Sequence, residues 1–422
     1  MSPVYHLPTR DQFRIAIICA LPVETDAVRI VLDETYQAPD DENLYTKPLD
    51  DPNSYTLGRI GPHPVVLVQL PGLGTLNATI GSGYLRRQFS KVHLALVVGI
   101  CGAIPRLPDG TDVFLGDVLI SEGIPRKADA VSDELVRRPF PSFMDTVFLN
   151  QKGKCSVGPN DFSPQTLNHA RDLLLMQQTL ARYLQAAQLS SGEPKYHYPG
   201  ADHDRLFPAR YQHRHPDSMP CDLCSRYSRT DGPGCIDTVH LSCKDLECKR
   251  QVGESKIRWR SDVIPSGTVP RPRIFCGDIG CTDLVMRCGE DRDRFAAEQA
   301  VIGFEMEGAG VELYLPASVV VVKGVCDYAD SHKEKRWQPY AALSAACCAK
   351  ALLAGVAGES QGLEKEACGG DQVSRSVAQG GPPFGEDEVP SRFWRLCVAV
   401  CLVGVLLCVY VWDEWFRMSS LF

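Results

Sequence analysis

The chain has 422 residues and a mass of 46.5 kDa, enough for one large α/β unit with appendages or for two domains. Charged residues at 23% and hydrophobic residues at 44% are those of a folded globular protein, which excludes a wholly disordered or fibrous chain. A formal net charge of −8 excludes a general nucleic-acid binder, whose surface must be basic toward phosphates, so a small molecule is the expected ligand.

In chain order, the first block (13–123) reads as a strand over 13–19, a helix over 23–32, a strand over 65–70, a glycine turn, a helix over 76–88 and a strand over 94–99. Short, fully apolar strands such as VVLVQL and LALVV predict a sheet covered on both faces. Residues 124–270 are rich in Pro, His and Cys and read as an irregular insertion. Within it Cys221 and Cys224 form a C-x-x-C that a zinc ion could use, with Cys235, Cys243, Cys248, His213, His215 and His240 nearby. No second C-x-x-C follows, so the reading favours a variable insertion with no metal and no catalytic role. The third block (271–354) returns to a strand over 319–325 and an Ala-rich helix over 340–353.

Residues 355–391 carry too few large apolar side chains to offset ordering entropy and read as a tether. After them, 396–412 is uncharged, LCVAVCLVGVLLCVYVW, with Trp394, Trp412 and Trp415 at its borders, Arg392 and Arg395 before it, and Asp413 and Glu414 after it. That pattern predicts a transmembrane tail anchor over 393–412, single-pass, with the main body on the cytosolic side. The chain opens without a secretory leader, so most of the 18 cysteines are expected to be reduced; Cys19, Cys101, Cys347 and Cys348, in apolar runs, are expected as buried thiols.

Function is expected where loops leave the strands. Three acids stand there: Glu24 after the first strand, Glu307 in GFEMEGAG and Asp327 in VVVVKGVCDYAD. Each has an ordinary reading as well, Glu24 as a solvated first-turn residue and Asp327 as a turn or cap. In order along the chain, IAIICALPVETDAV, PGLGTLNATIGSGYL, VVGICGAIP, DVFLGDVLIS, GFEMEGAG and VCDYADSHKEKRWQPYAAL resemble the nucleoside phosphorylase and nucleosidase superfamily, in the variant found as a domain in many fungal proteins. The likeness covers about 13–123 and 272–354.

That resemblance implies a three-layer α/β/α sandwich around a mixed sheet, usually a homo-oligomer, that cleaves the N-glycosidic bond of a nucleoside without a cofactor. It implies Asp327 as the acid at purine N7, Glu307 as the acceptor of the ribose hydroxyls with Met306 packed on the sugar, and Glu24 as the base that activates water. Gly72 and Gly74 of the PGLGT turn could bring backbone amides to an anion or the sugar, or could merely permit a tight reversal. Val97 and Ile100 stand where phosphorylases of this superfamily carry an arginine and a hydroxyl, so hydrolysis is favoured over phosphorolysis, with Arg14, Arg86 or Arg87 left as other sources of charge for a phosphate. Val285 replaces the usual base-stacking aromatic in FCGDIGCTDLVM. A catalytically degenerate sensing or scaffold module on a membrane is the alternative from a different class. Trp337 reads either as a ligand stacker or as an anchor for the last helix.

Overall fold

The computed structural model describes residues 8–36, 47–121, 164–228, 230, 235–248 and 271–367; the side chains of 164–172, 236 and 355–367 are not described. The expected membrane anchor over 393–412 and most of the expected tether lie outside these residues. Among the described residues no helix is long and apolar enough to cross a membrane.

In chain order the elements are β1 (Ile15–Cys19), α1 (Pro22–Val31), β2 (Glu34–Thr35), β3 (Ser54–Ile60), β4 (His63–Gln69), α2 (Thr75–Gln88), β5 (Leu94–Ala103), β6 (Val118–Ser121), α3 (Pro164–Ser191), β7 (Ile274–Gly277), β8 (Ile279–Cys281), α4 (Gly289–Gln299), β9 (Gly303–Glu305), α5 (Gly308–Tyr314), β10 (Ser318–Asp327) and α6 (Gln338–Ala367). The strands form one mixed sheet in the order β2-β3-β4-β1-β5-β10-β6-β7, with β9 joining β5 and β8 joining β9. β4, β1, β5 and β10 run parallel. β6 pairs antiparallel to β10.

The topology itself places helices on both faces. From β1 the chain crosses to β4 on one side, and from β4 it returns past β1 to β5 on the other. Right-handed crossovers in opposite directions put α1 and α2 on opposite faces of the sheet. α1 packs with α3 and α6, while α2 packs with α5. The strands are buried accordingly: β1 is buried at every residue, and Val319 to Val322 of β10 are all in the core. The long apolar strands of the sequence reading are therefore the covered centre of the sheet.

Two expectations are corrected. The insertion is not irregular throughout, because α3 spans Pro164–Ser191 and seats Leu180, Leu184 and Ala187, at helical spacing, in the main core. The Pro, His and Cys content of the block as a whole had masked that period. The last helix does not stop at 353; α6 continues to Ala367 into the expected tether, through a run rich in Ala, Glu, Gln, Leu and Lys whose helix propensity outweighs its glycines. The described cysteines form no disulfide, and Cys19, Cys101, Cys347 and Cys348 are buried. Trp337 is an anchor: it is fully buried, its Nε1 donates to His203 O at 3.0 Å, and it meets Tyr198 and Tyr340 edge to face.

Candidate active site

β1 has β4 on one side and β5 on the other, so the chain's winding reverses there and opens a crevice beyond the carboxyl ends of the parallel strands. A cleft of about 240 Å³ lies at that edge, on the scale of one small molecule. Glu24, Ile100, Val285, Met306, Glu307 and Asp327 all line it. Of the expected site residues, Gly72 and Gly74 do not: Leu73 between them is in the lining, and a Cβ at Gly72 would meet Asn77 Nδ2 at 2.9 Å, so that glycine admits the start of α2.

Glu24 is no solvated first-turn residue. It is 2% exposed at the third position of α1, and Oε2 accepts the amides of Ala20 and Leu21, each at 2.9 Å. Oε1 accepts the amide of Ile100 across the crevice, at 2.9 Å. Pro22 begins the helix with its fixed φ, so the preceding amides are free to point at this carboxylate. Burial raises the Glu24 pKa; the Lys323 ammonium and the amides oppose that rise, and the Glu307 charge adds to it. Gly99 makes room for the group, since a Cβ there would stand 2.2 Å from Glu24 Oε1.

Glu307 is 3% exposed at the start of α5. Its Oε1 accepts the Gly74 amide at 3.3 Å and its Oε2 accepts the Lys323 ammonium at 3.0 Å. Gly74 can face it because its φ is +96°, a conformation open to glycine. Glu305 points back to the amides of Glu307 and Gly308 and so fixes the turn that presents Glu307. Asp327 ends β10; its Oδ1 accepts the Ala329 amide at 2.8 Å and the Lys333 ammonium at 2.6 Å, while Oδ2 receives only the Cys326 thiol, at 3.4 Å. Gly102 lies under it, with a Cβ there 2.7 Å from Oδ1. Glu24 and Asp327 thus sit against two glycines of β5 three residues apart, roughly 10 Å along the strand.

Two cations in this arrangement were not singled out in the sequence. Lys323 lies in the valine run of β10, 1% exposed. Burial works against its ammonium, but Glu307, Glu305 and Glu24 around it raise its pKa well above that of a free lysine. A lysine inside an otherwise apolar strand was the available signal, because such a charge is stable only beside buried acids. Lys333, by contrast, falls in the exposed-looking run SHKEKR, where nothing in the spacing separates it from its neighbours.

The Gly74 turn also bears on phosphate. The Gly74 amide is given to Glu307, and the Thr75 amide donates to Asp283 Oδ1 at 2.8 Å, so carboxylates of the chain already occupy the N-terminus of α2. Arg14, Arg86 and Arg87 do not line the cleft; its cationic lining is Arg287, Lys333 and Lys335. Val97 is in the core, and Ile100 contributes its backbone amide. Val285 and Leu284 form an open wall, 45% and 73% exposed, in place of an aromatic ring.

No family model matches the chain. A "Nucleotide-binding leucine-rich repeat (NLR)-like protein" of Hyaloscypha variabilis is 29% identical over 343 residues, covering 81% of this chain; the chain spans only 29% of that relative's length. Similar solved structures include the 5′-methylthioadenosine/S-adenosylhomocysteine nucleosidase of Neisseria meningitidis in complex with methylthio-immucillin-A, at 14% identity and a TM-score of 0.41, covering 81% of this chain and 98% of that one. Another is futalosine hydrolase of Helicobacter pylori, at 12% identity and a TM-score of 0.41, covering 82% and 98%.

Proposed function

We propose that this chain hydrolyses the N-glycosidic bond of a purine nucleoside. The observation that carries the reading is the meeting of Glu24, Glu307 and Asp327, remote in sequence, around one cleft the size of a small molecule. Breaking a ribosidic carbon–nitrogen bond builds positive charge on the sugar and negative charge on the departing base, so the reaction needs an anion, a base for water and a proton source in different places.

Hydrogen-bond accounting assigns those roles. A carboxylate has about four acceptor sites. Glu24 spends three on amides and keeps one for a water, whose proton it takes as that water attacks the anomeric carbon. Glu307 spends two and keeps two, the number a vicinal diol requires, and its charge favours the sugar cation. Asp327 lines the cleft with the Lys333 ammonium at its Oδ1, and the proton that the leaving base takes up passes from Lys333 through the Asp327 carboxyl group. Met306 covers the sugar. Water is favoured over phosphate because the amides at the α2 N-terminus are committed to carboxylates.

The test incubates the full chain with adenosine, inosine and 5′-methylthioadenosine, with and without phosphate, and follows free base chromatographically. Base released without phosphate supports hydrolysis. Base released only with phosphate makes the protein a phosphorylase, and no base under either condition sinks both for those substrates. The open Leu284 and Val285 wall favours one second reading, a ligand-sensing module that binds a nucleoside without turning it over; calorimetric binding with no base release would select it. A tail anchor at 393–412 would hold either version at a membrane with the cleft on the cytosolic side.

A further inference from the structure

Among the described residues of 192–248, regular structure is short 3₁₀ turns, and apart from side chains lent to the main domain their own core is Phe207, Tyr211, Leu246 and Cys248 with Leu241 and Cys243 against them. Segments with so small a core are ordinarily stapled by disulfides or metal. The described cysteines here form no disulfide, yet they are gathered into two groups with histidines.

The first group is His215, Cys221, Cys224 and Cys235, whose ligand atoms all lie within 4.8 Å of one another. Cys221 Sγ and Cys235 Sγ are 3.9 Å apart, and His215 Nδ1 is 3.6 Å from Cys224 Sγ and 3.8 Å from Cys235 Sγ. With bonds of about 2.3 Å to sulfur and about 2.0 Å to nitrogen, a tetrahedral zinc ion has S···S edges of about 3.8 Å and S···N edges of about 3.6 Å. These three separations match such edges, and they are far too long for a disulfide at about 2.05 Å. The backbone amides of Cys224 and Leu223 point at Cys221, as in a turn built to hold a thiolate.

The second group is His213, Cys243 and Cys248, again mutually within 4.8 Å. His332 completes it: its ring is 5.2 Å from that of His213, and both imidazoles, with Cys243, bear on the Cys248 thiol. His213 and His332 are 5% and 8% exposed, and the Nε2 of each is buried without a hydrogen bond. A buried nitrogen left without a hydrogen bond is costly, so two converging on a pair of thiols call for a partner. His332 Nδ1 faces Ser331 Oγ at 3.3 Å and the Asp330 carboxylate at 3.9 Å, the outer contacts that orient a ligating imidazole with Nε2 forward. His213 and His215 are alternate residues, and one belongs to each group.

We propose that residues 213–248 are a two-zinc module, with Zn(II) held by His215, Cys221, Cys224 and Cys235 at one centre and by His213, Cys243, Cys248 and His332 at the other. Thiolates with imidazole in closed tetrahedra suit zinc and leave no position open for substrate, so both centres are structural. The second reaches the cleft: His332 adjoins Lys333, the partner of Asp327, and Val239 of the same module lines the cleft wall. Zinc there fastens both to one scaffold.

The test expresses the full chain in zinc-supplemented medium, purifies it without a metal-affinity step, and measures metal by plasma mass spectrometry. About two zinc equivalents per chain are expected, with C224S removing one and C248S the other. In the same preparation, Cys221, Cys224, Cys235, Cys243 and Cys248 should resist alkylation until a chelator is added, with Cys347 protected throughout by burial. The alkylation arm uses the unaltered protein and stands even where a variant fails to fold. Absence of zinc, with cysteines that alkylate equally fast with and without chelator, would overturn the proposal. Neither readout depends on nucleoside cleavage, so failure of one reading leaves the other intact.

Discussion

Lys323→Met removes the one ammonium buried among Glu24, Glu305 and Glu307 while keeping most of the side chain's volume. Lys323 Nζ lies 3.0 Å from Glu307 and 3.6 Å from Glu305, with lysine and glutamate side chains almost wholly out of water. Taking one partner from a buried ion pair typically costs about 3–5 kcal/mol, because the charge left behind has neither water nor counter-ion. That corresponds to about two to four powers of ten in the folding constant. Urea unfolding of the chain and its variant, followed by circular dichroism from acid to alkaline pH, reads the difference directly.

The pH dependence has a definite sign. The folded-state pKa of Lys323 is raised, so its contribution is full below the unfolded lysine value of about 10.4 and is lost only as pH rises through the still higher folded value. Across the neutral range the deficit of the variant should therefore be constant. On the acid side it should shrink, since protonating the abandoned carboxylates removes the uncompensated charge, starting with Glu24, whose pKa burial already raises. A variant with the urea midpoint of the parent at neutral pH would refute the view that this lysine neutralises the acids of the cleft.

Further expectations concern the chemistry. Glu24→Gln should lower kcat for base release by about 10²–10⁴, the range of a lost general base, and an unchanged kcat would remove Glu24 from the mechanism. Because Glu24 works as the anion, kcat/KM should fall as pH drops through a value above the 4.5 of an ordinary glutamate, and a rate that stays flat down to that pH would contradict the assignment. Gly99→Ala sets a methyl against Glu24 Oε1, so turnover should fall sharply; the same alanine with parental kcat would show that the carboxylate need not stay where it is. Lys333→Met should lower kcat more than it raises KM, because it takes away the ammonium at Asp327 Oδ1. A change in KM alone would make Lys333 a binding residue.

How much of this was legible in the chain itself differs between elements. The strands over Ile15–Cys19, Leu94–Ala103 and Ser318–Asp327 were readable because a central strand covered on both faces must be apolar at every position. The three acids were readable by contrast, as charges at the ends of such strands or in glycine-flanked turns. α3 was not, because its helical period lies inside a block whose average composition is that of a loop.

Sequence alone determined which segments must be buried and which acids stood at strand ends, since those follow from hydropathy and local order along the chain. Tertiary structure alone decided how the groups share protons and partners. The ammonium of Lys323 is stable only because Glu305 of β9, Glu307 of the turn after it and Glu24 of α1 close around it, and Lys333 is set apart from the lysine beside it by its distance to Asp327. The same holds for His213 and His332, remote in the chain and brought together by the docking of the insertion on the loop after β10, where the His213 amide donates to Ser331 Oγ. Coordination and charge pairing depend on separations of a few ångströms, and those are set by folding rather than by spacing in the sequence.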